Sequence, residues 1–251
     1  MGRSNETDRR YRAIFVSDTH LGSRRSHAGP LLEFLERSES EFLYLVGDIA
    51  DRWGPRGAAD WPEEHAAVLE LVRYRARNGT AVHYLPGNHD QALFSWMIEE
   101  TVVRVSHEHE HLSADGRRVL VMHGDGFDVV VSRVVWLSRL GDRFAAMIDV
   151  AGALVERLLP RQRPGGLGTR VKQICKRLLG YTGRFERSAI RSARSRAVDG
   201  IICGHIHDPA CREVDGVFYG NNGDWVQSCT ALVEHSDGSF ELVRWTEVAG
   251  S

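Results

Sequence analysis

The chain has 251 residues, of which 42% are hydrophobic, 26% charged and 8% aromatic. This composition is typical of a folded globular protein and excludes a disordered or fibrous one. The formal net charge of -2 is the sum of two unlike parts. Residues 126–199 contain 15 basic and 6 acidic side chains, a local net charge of +9, so the remaining chain carries -11. A basic segment is therefore set into an acidic chain.

Targeting signals and cysteine spacing indicate the compartment. Residues 1–10 are polar and charged, so we expect a flexible tail there rather than a signal peptide. No stretch reaches the roughly 18 uninterrupted apolar residues that a membrane-spanning helix needs. The cysteines, Cys175, Cys203, Cys211 and Cys229, have the spacing of neither a zinc ribbon nor a disulfide framework. A reducing, cytoplasmic environment is expected.

Five short apolar runs predict buried β-strands, and each run is followed by polar residues. The runs are Ala13–Ser17, Phe42–Val46, Ala81–Leu85, Val119–Met122 and Ile201–Cys203. An apolar stripe at residues 31–35 predicts a helix between the first two strands, and a second helix is predicted from Pro62 to Asn78. Alternating strands and helices predict a layered α/β core.

The pattern changes after residue 125. Helical periodicity, interrupted by proline and glycine, runs through residues 126–199, and we interpret this basic segment as a helical cap inserted into one α/β domain. Strand patterns then resume at Val217–Tyr219, Cys229–Glu234 and Phe240–Trp245. The predicted organisation is a tail at residues 1–10, a core of residues 11–125 and 200–251, and a cap at residues 126–199.

The five predicted strands each end in a cluster of Asp, Asn or His. In chain order these clusters are Asp18-Thr19-His20, Gly47-Asp48-Ile49-Ala50-Asp51-Arg52, Gly87-Asn88-His89-Asp90, His123-Gly124-Asp125 and Gly204-His205-Ile206-His207. Loops at the carboxyl ends of strands meet in one crevice, so we expect the clusters to converge. Mixed oxygen and imidazole donors suit Mn, Fe or Zn ions better than Ca or Mg. The donors are too many for one ion, which predicts two ions about 3.5 to 4 Å apart, as used for displacement at phosphorus.

This ordered set of motifs resembles that of the calcineurin-like metallophosphoesterase superfamily. The resemblance implies a four-layer α/β/β/α sandwich that hydrolyses phosphate esters or anhydrides with a metal-bridging hydroxide as nucleophile. Mn²⁺ is the expected metal, with Fe or Zn as alternatives. By position the resemblance implies two ligand sets joined by a bridging Asp48: Asp18, His20 and His207 for one ion, and Asn88, His123 and His205 for the other.

Residues beside the predicted ligands are candidates for work on the substrate. His89, as an imidazolium, could stabilise the transition state or protonate the leaving oxygen. Asp51 matches the superfamily acid that pairs with this histidine and keeps it charged. Arg52 is a candidate phosphate contact, with a surface ion pair as an equal alternative. Asn88 and Trp136, the latter in the predicted cap, are further candidate substrate contacts.

The remaining polar residues are mostly predicted to have structural or orienting roles. His107, His109 and His111 alternate along the chain and are predicted to form a solvated hairpin. Structural roles are predicted for four further histidines: His27, His65, His83 and His235. Asp90 and Asp125 are expected to orient ligands. Asn222 and Asp224 either line the site or form a turn.

Within the superfamily, the helical insertion, the start at residues 18–22 and the ending at residues 223–235 are similar to the UDP-2,3-diacylglucosamine pyrophosphatase group. That similarity implies a lipid A pathway enzyme in the cytoplasm, peripheral on the cytoplasmic face of the inner membrane. Its substrate would be an anionic, lipid-linked nucleotide, and no obligate protein partner is indicated. The well-known members carry Arg where this chain has His89, so another lipid or glycosyl phosphate is an alternative substrate. A nuclease with a basic aromatic cap is a less favoured alternative, and a non-catalytic module the least.

Overall fold

Two β-sheets and the helices beside them form the part of the chain that the structure describes. The structure is a computed structural model, and it describes residues 9–51, 61–90, 102–127 and 180–245. By contact the chain divides into two compact units, one of Met1–Asp125 with Ile190–Ser251 and one of Gly126–Ala189. None of the described helices is long and apolar enough to cross a bilayer.

Eleven strands and three helices occur in these described segments. In chain order they are β1 (Arg9–Val16), α1 (Ala28–Glu36), β2 (Ser38–Val46), α2 (Glu63–Arg77), β3 (Ala81–Leu85), β4 (Val103–Val105), β5 (Glu108–Leu112), β6 (Arg118–Met122), α3 (Tyr181–Ser195), β7 (Gly200–Cys203), β8 (Ala210–Val214), β9 (Val217–Asn221), β10 (Thr230–Glu234) and β11 (Phe240–Arg244). One sheet has six strands in the order β11-β10-β1-β2-β3-β4, and the other has five in the order β5-β6-β7-β9-β8.

The strands that carry the predicted motifs are parallel neighbours within each sheet. In the six-stranded sheet β1, β2, β3 and β4 pair in parallel, and β10 joins β1 antiparallel. In the five-stranded sheet β6 and β9 both pair in parallel with β7. Parallel pairing aligns the carboxyl ends of these strands along one edge of each sheet. The motif loops leave the sheets at those edges.

Alternating side chains of β1 supply two separate hydrophobic cores. Ile14 and Val16 pack with residues of α1 and α2, including Phe34 and Leu69. Ala13 and Phe15, on the opposite face, pack among residues of the five-stranded sheet. Each fully buried Leu or Phe contributes roughly 1.5 to 3 kcal/mol. The described core therefore has a layer of helices, a sheet and a second sheet, which confirms the predicted α/β class.

Two predicted elements are confirmed. One strand begins earlier than predicted, and two strands were not predicted. β3 has the predicted bounds, and α2 runs from Pro62 as N-cap to Asn78 as C-cap, as predicted. β1 begins at Arg9, so the strand includes the last two residues of the predicted tail. β4 and β8 were not expected, because neither has a run of apolar residues. Most of the predicted helical cap, at residues 128–179, lies outside the described residues and stays a prediction.

The predicted hairpin forms, but the prediction that its histidines are solvated is wrong for His111. This side chain on β5 is only 2% exposed. Its Nε2 lies 2.6 Å from Glu234 Oε2, and its Nδ1 lies 2.9 Å from the hydroxyl of Tyr44. Arg12 donates to the same Glu234 carboxylate at 2.9 Å. Strand β5 contains only polar residues before Leu112, so its sequence does not reveal which face is buried.

His83 on β3 lies beside this polar cluster and is 1% exposed. Its ring stacks on Tyr44, with centroids 4.8 Å apart, and lies 4.1 Å from the ring of His109. Burial, together with the charges of His109 and Arg104, lowers the pKa of His83 to about 4. His83 is therefore neutral in the folded protein, while it becomes charged in the unfolded chain below its ordinary pKa.

Substituting His83→Phe should make the fold less sensitive to acid. Between pH 6.5 and 4 the unfolded wild-type chain binds a proton at His83 that the folded state does not, so wild-type stability falls as pH falls. The loss attributable to this residue is about 3 kcal/mol at most. Urea unfolding across this pH range measures it, with His235→Gln as control, because the His235 side chain is 37% exposed. Parallel stability curves for wild type and His83→Phe would contradict this account.

Candidate metal centre

The loops at the carboxyl ends of the strands bring six of the seven predicted ligands into two groups. In each group the donor atoms all lie within 4.8 Å of one another. The groups are Asp18 with His20 and His207, and Asp48 with His123 and His205. Asn88, the seventh, lies between Gly87 and His89, whose backbone N–H donates to Asp48 Oδ1 at 3.0 Å. The grouping follows the predicted division into two ligand sets.

In the first group a fully buried carboxylate faces an imidazole. Asp18 Oδ1 lies 3.1 Å from His207 Nε2, and Asp18 Oδ2 accepts a hydrogen bond from the backbone N–H of His205 at 2.9 Å. Within the described chain Asp18 Oδ1 accepts no hydrogen bond. A buried carboxylate oxygen without a donor is costly, and a bound cation would remove that cost.

In the second group, His123 also has a buried polar atom without a hydrogen-bond partner in the described segments. Its Nδ1–H donates to the carbonyl of Val46 at 3.0 Å, so Nε2 is the nitrogen that carries the lone pair whenever the ring is neutral. Nε2 lies 3.4 Å from Asp48 Oδ2 and, among the described residues, has no hydrogen-bond partner. Its ring centroid is 5.0 Å from that of His205. These unpartnered donors fit a divalent ion at each group.

Five of the candidate ligands have left-handed backbone conformations. Their φ angles are positive, from 46° to 68°, although none is glycine; they are Asp18, His20, Asp48, His205 and His207. L-residues rarely adopt this region, and each such residue costs roughly 1 kcal/mol or more. The surrounding sheets hold the strained loops in place. Strain concentrated at these positions indicates a functional site.

Two glycines are required because backbone passes close to the carboxylates. A Cβ on Gly87 would lie 2.3 Å from Asp48 Oδ1. A Cβ on Gly204 would lie 2.5 Å from Asp18 Oδ2. Each glycine therefore lets a neighbouring loop approach a carboxylate that bears a candidate ligand atom.

Asp90 ties two loops together, as expected of an orienting residue. Its Oδ1 accepts hydrogen bonds from the backbone N–H groups of Ile49 and Ala50 at 2.8 and 3.0 Å. Its Oδ2 accepts one from Gly87 at 2.9 Å. Burial raises the pKa of Asp90, although these backbone hydrogen bonds act in the opposite direction. The side chain thereby fixes the Asp48 loop against the loop that contains Asn88.

His89 and Asp51 lie together, but Asp51 has a second partner. His89 Nδ1 is 3.1 Å from Asp51 Oδ1, while the same oxygen is 2.6 Å from His20 Nδ1. The His89 side chain is 49% exposed, which leaves it accessible to a substrate. Sequence reasoning missed the contact with His20, because no spacing rule links the two loops. Arg52 and Trp136 lie outside the described residues.

The buried carboxylates and His123 shift each other's protonation. Burial opposes ionisation of Asp48, yet the closeness and charge of the His123 imidazole hold its pKa well below the usual range. Burial lowers the pKa of His123, but the nearby carboxylates of Asp48 and Asp18 raise it to about 9. The negative charge here attracts either a proton or a metal ion. Metal binding must therefore displace protons and weaken in acid.

The fold and the paired donor groups define a metal-dependent hydrolase. The sequence model of the calcineurin-like phosphoesterase family matches residues 11–209. The chain therefore belongs to the calcineurin-like phosphoesterase family, which confirms the resemblance of its motifs. Members of this family use divalent metals, and the two groups of Asp and His described above could hold them.

Two curated relatives of this chain share one name. The chain is 24% identical over 213 residues to a UDP-2,3-diacylglucosamine hydrolase of Psychromonas ingrahamii, covering 81% of this chain and 83% of the relative. It is 23% identical over 257 residues to a UDP-2,3-diacylglucosamine hydrolase of Photorhabdus laumondii, covering 92% and 98%. Among solved structures it is similar to an archaeal phosphodiesterase, with 13% identity, a TM-score of 0.46 and coverage of 92% and 98%.

Gly87→Ala should damage the metal centre more than the fold. The added methyl group would collide with Asp48 Oδ1 and push that carboxylate out of its group. We expect at least a 10-fold weaker affinity for Co²⁺, measured by titration of the metal-free protein. Gly126→Ala is the matched control, because a Cβ there meets no atom within 4 Å. Equal Co²⁺ affinity in the two variants would show that the close approach is unimportant.

Proposed function

We propose that this protein hydrolyses a phosphodiester or pyrophosphate bond in an anionic, lipid-linked nucleotide such as UDP-2,3-diacylglucosamine. The observation that carries the proposal is the pair of donor groups, one around Asp18 and one around Asp48, at a shared loop edge. Two ions, proposed to be Mn²⁺, would be held by those groups and by Asn88. The common name of the relatives supports the substrate class.

The protein's own residues would bind the substrate and transfer a proton. When bound, the two ions would offset phosphoryl charge and activate water. Hydrolysis breaks the bond from phosphorus to the leaving oxygen, which then needs a proton. His89 is the proposed donor, and its half-exposed ring can reach a bound substrate. Asp51 faces His89 Nδ1 at 3.1 Å, so Nε2 is the nitrogen available to give the proton.

Variants of the proposed metal ligand Asp48 and of the proposed proton donor His89 should differ in metal binding and in hydrolysis of bis(p-nitrophenyl) phosphate. Asp48→Ala should abolish Mn²⁺-stimulated turnover together with metal binding. His89→Ala should lower kcat by about 10²- to 10⁴-fold while bound metal, measured by elemental analysis, stays near wild type. Equal losses of metal and kcat in His89→Ala would make His89 a ligand or a structural residue. Turnover in Asp48→Ala matching metal-loaded wild type would overturn the reaction class proposed here.

Substrate choice is tested by following UMP release from UDP-2,3-diacylglucosamine by mass spectrometry. The proposal expects Mn²⁺-dependent UMP release that exceeds release from the non-acylated sugar nucleotide. His89 occupies the position where the well-known pyrophosphatases carry Arg, so other lipid or glycosyl phosphodiesters belong in the same assay. Turnover restricted to oligonucleotides would overturn the lipid-linked substrate.

Helix α3 supports a proposed contact with the anionic face of the inner membrane. Its arginines at positions 184, 187, 191 and 194 are all exposed and, at 100° per residue, lie in one sector of the helix. The opposite sector buries Phe185, Ala189 and Ala193. Glu186 is the helix's single acidic residue and lies away from the arginine row. A row of arginines on one side of a helix suits the phosphate headgroups of an anionic membrane.

Arg187→Glu with Arg191→Glu should reduce binding to phosphatidylglycerol vesicles. Each Lys or Arg near an anionic surface contributes on the order of 1 kcal/mol, so the double reversal should weaken partitioning at least 10-fold. Vesicle sedimentation measures it, and turnover of bis(p-nitrophenyl) phosphate should stay unchanged. The control is Arg212→Glu with Arg244→Glu, the same charge change at exposed positions on β8 and β11. Equal effects of the two double variants would leave α3 without a special role.

A further inference from the structure

The carboxylate of Asp224 lies behind His207, on the side away from Asp18. Asp224 follows β9 and is 1% exposed. Its Oδ2 lies 3.7 Å from His207 Nδ1, whereas His207 Nε2 lies 3.1 Å from Asp18 Oδ1. The imidazole of His207 is therefore placed between two buried carboxylates, one facing each ring nitrogen.

Asp224 is held rigidly and independently of His207. Its Oδ1 accepts hydrogen bonds from the backbone N–H groups of Val226 at 2.8 Å and Ser228 at 3.3 Å. The next residue, Trp225, donates its backbone N–H to the carbonyl of Asp18 at 3.1 Å and is fully buried. The Asp224 loop is thus fixed to the end of β1. Oδ2 then has a defined position from which it can act on His207.

The charge at each ring nitrogen decides which tautomer of His207 is favoured. A carboxylate facing Nδ1 favours a proton on that nitrogen, which leaves a lone pair on Nε2. Nε2 is the nitrogen that faces Asp18, a member of the same donor group. Two of the other candidate histidines follow the same rule: His20 Nδ1 faces Asp51 at 2.6 Å, and His123 Nδ1 donates to the Val46 carbonyl at 3.0 Å.

We propose that Asp224 is a positioning residue that keeps His207 protonated at Nδ1 and ready to bind metal through Nε2. Neither the motif pattern nor the family match assigns this role to Asp224. The inference rests on the metal centre proposed above. Asp224 would not itself touch the metal or the substrate. It would set the metal affinity of the group that contains Asp18.

Asp224→Asn tests this role with little change in shape. The remaining amide oxygen can still accept the backbone hydrogen bonds of the turn, while the new NH₂ group faces His207 Nδ1 and favours the wrong tautomer. We expect Co²⁺ affinity of the metal-free protein to fall 10- to 100-fold. In the Zn²⁺ form, nitrogen NMR of labelled histidine should show the Nδ1-protonated tautomer of His207 in wild type and its loss in Asp224→Asn.

Ser228→Ala is the matched control, because it removes a 3.0 Å hydrogen bond to Asp224 Oδ2 but keeps the carboxylate. It should retain wild-type Co²⁺ affinity and the wild-type tautomer. Wild-type affinity in Asp224→Asn, or an equal loss in Ser228→Ala, would overturn the proposal. If wild type itself binds no Co²⁺, the proposed metal centre fails as well, so the two failures are distinguishable.

Discussion

Pairing between β1 and β2 continues past the ends of both strands, and the rest of the site depends on it. The backbone N–H of Asp18 donates to Gly47, and that of His20 donates to Asp48, at 2.9 and 3.0 Å. Further along, Leu21 and Ile49 are joined in the same way at 2.8 Å. This ladder runs through the loops themselves, so two loops that would otherwise be mobile share one fixed register. Asp18 and Asp48 are brought to the same edge by backbone hydrogen bonds alone.

The positive φ angles are a consequence of that continued pairing. An ordinary strand would carry alternate side chains to opposite faces, and candidate ligands two residues apart, such as Asp18 and His20, would follow the pleat. Left-handed turns at Asp18, His20 and Asp48 redirect these side chains while the hydrogen bonds between loops persist. The backbone strain is balanced by the burial and hydrogen bonding on either side. A site that is rigid before any ligand arrives needs little reorganisation to bind one.

Sequence patterns predicted the residues of the site better than the contacts between those residues. Strand periodicity and polar clusters were sufficient to identify residues such as His123 and His205, because a strand's end fixes where the next side chains go. Pair contacts across loops were not predictable from spacing, and the sharing of Asp51 by His20 and His89 is the clearest case. The burial of a polar strand was also not predicted from the sequence. His111 looked solvated because burial of β5 is decided by what packs on it, and the hydrogen bond with Glu234 offsets the cost of burying its imidazole.

The acidic charge outside residues 126–199 has a structural meaning at this edge of the sheets. Asp18, Asp48, Asp90 and Asp224 are all buried there, and like charges in one buried region repel one another. Backbone N–H groups satisfy Asp90 and one oxygen of Asp224, while imidazoles face the remaining carboxylates. This negative charge favours the protonated form of His123 and so raises its pKa. A divalent ion neutralises the carboxylates better than one proton does and leaves the imidazoles neutral, as ligands must be. The most buried carboxylates of the protein are therefore placed where a bound cation would stabilise them most.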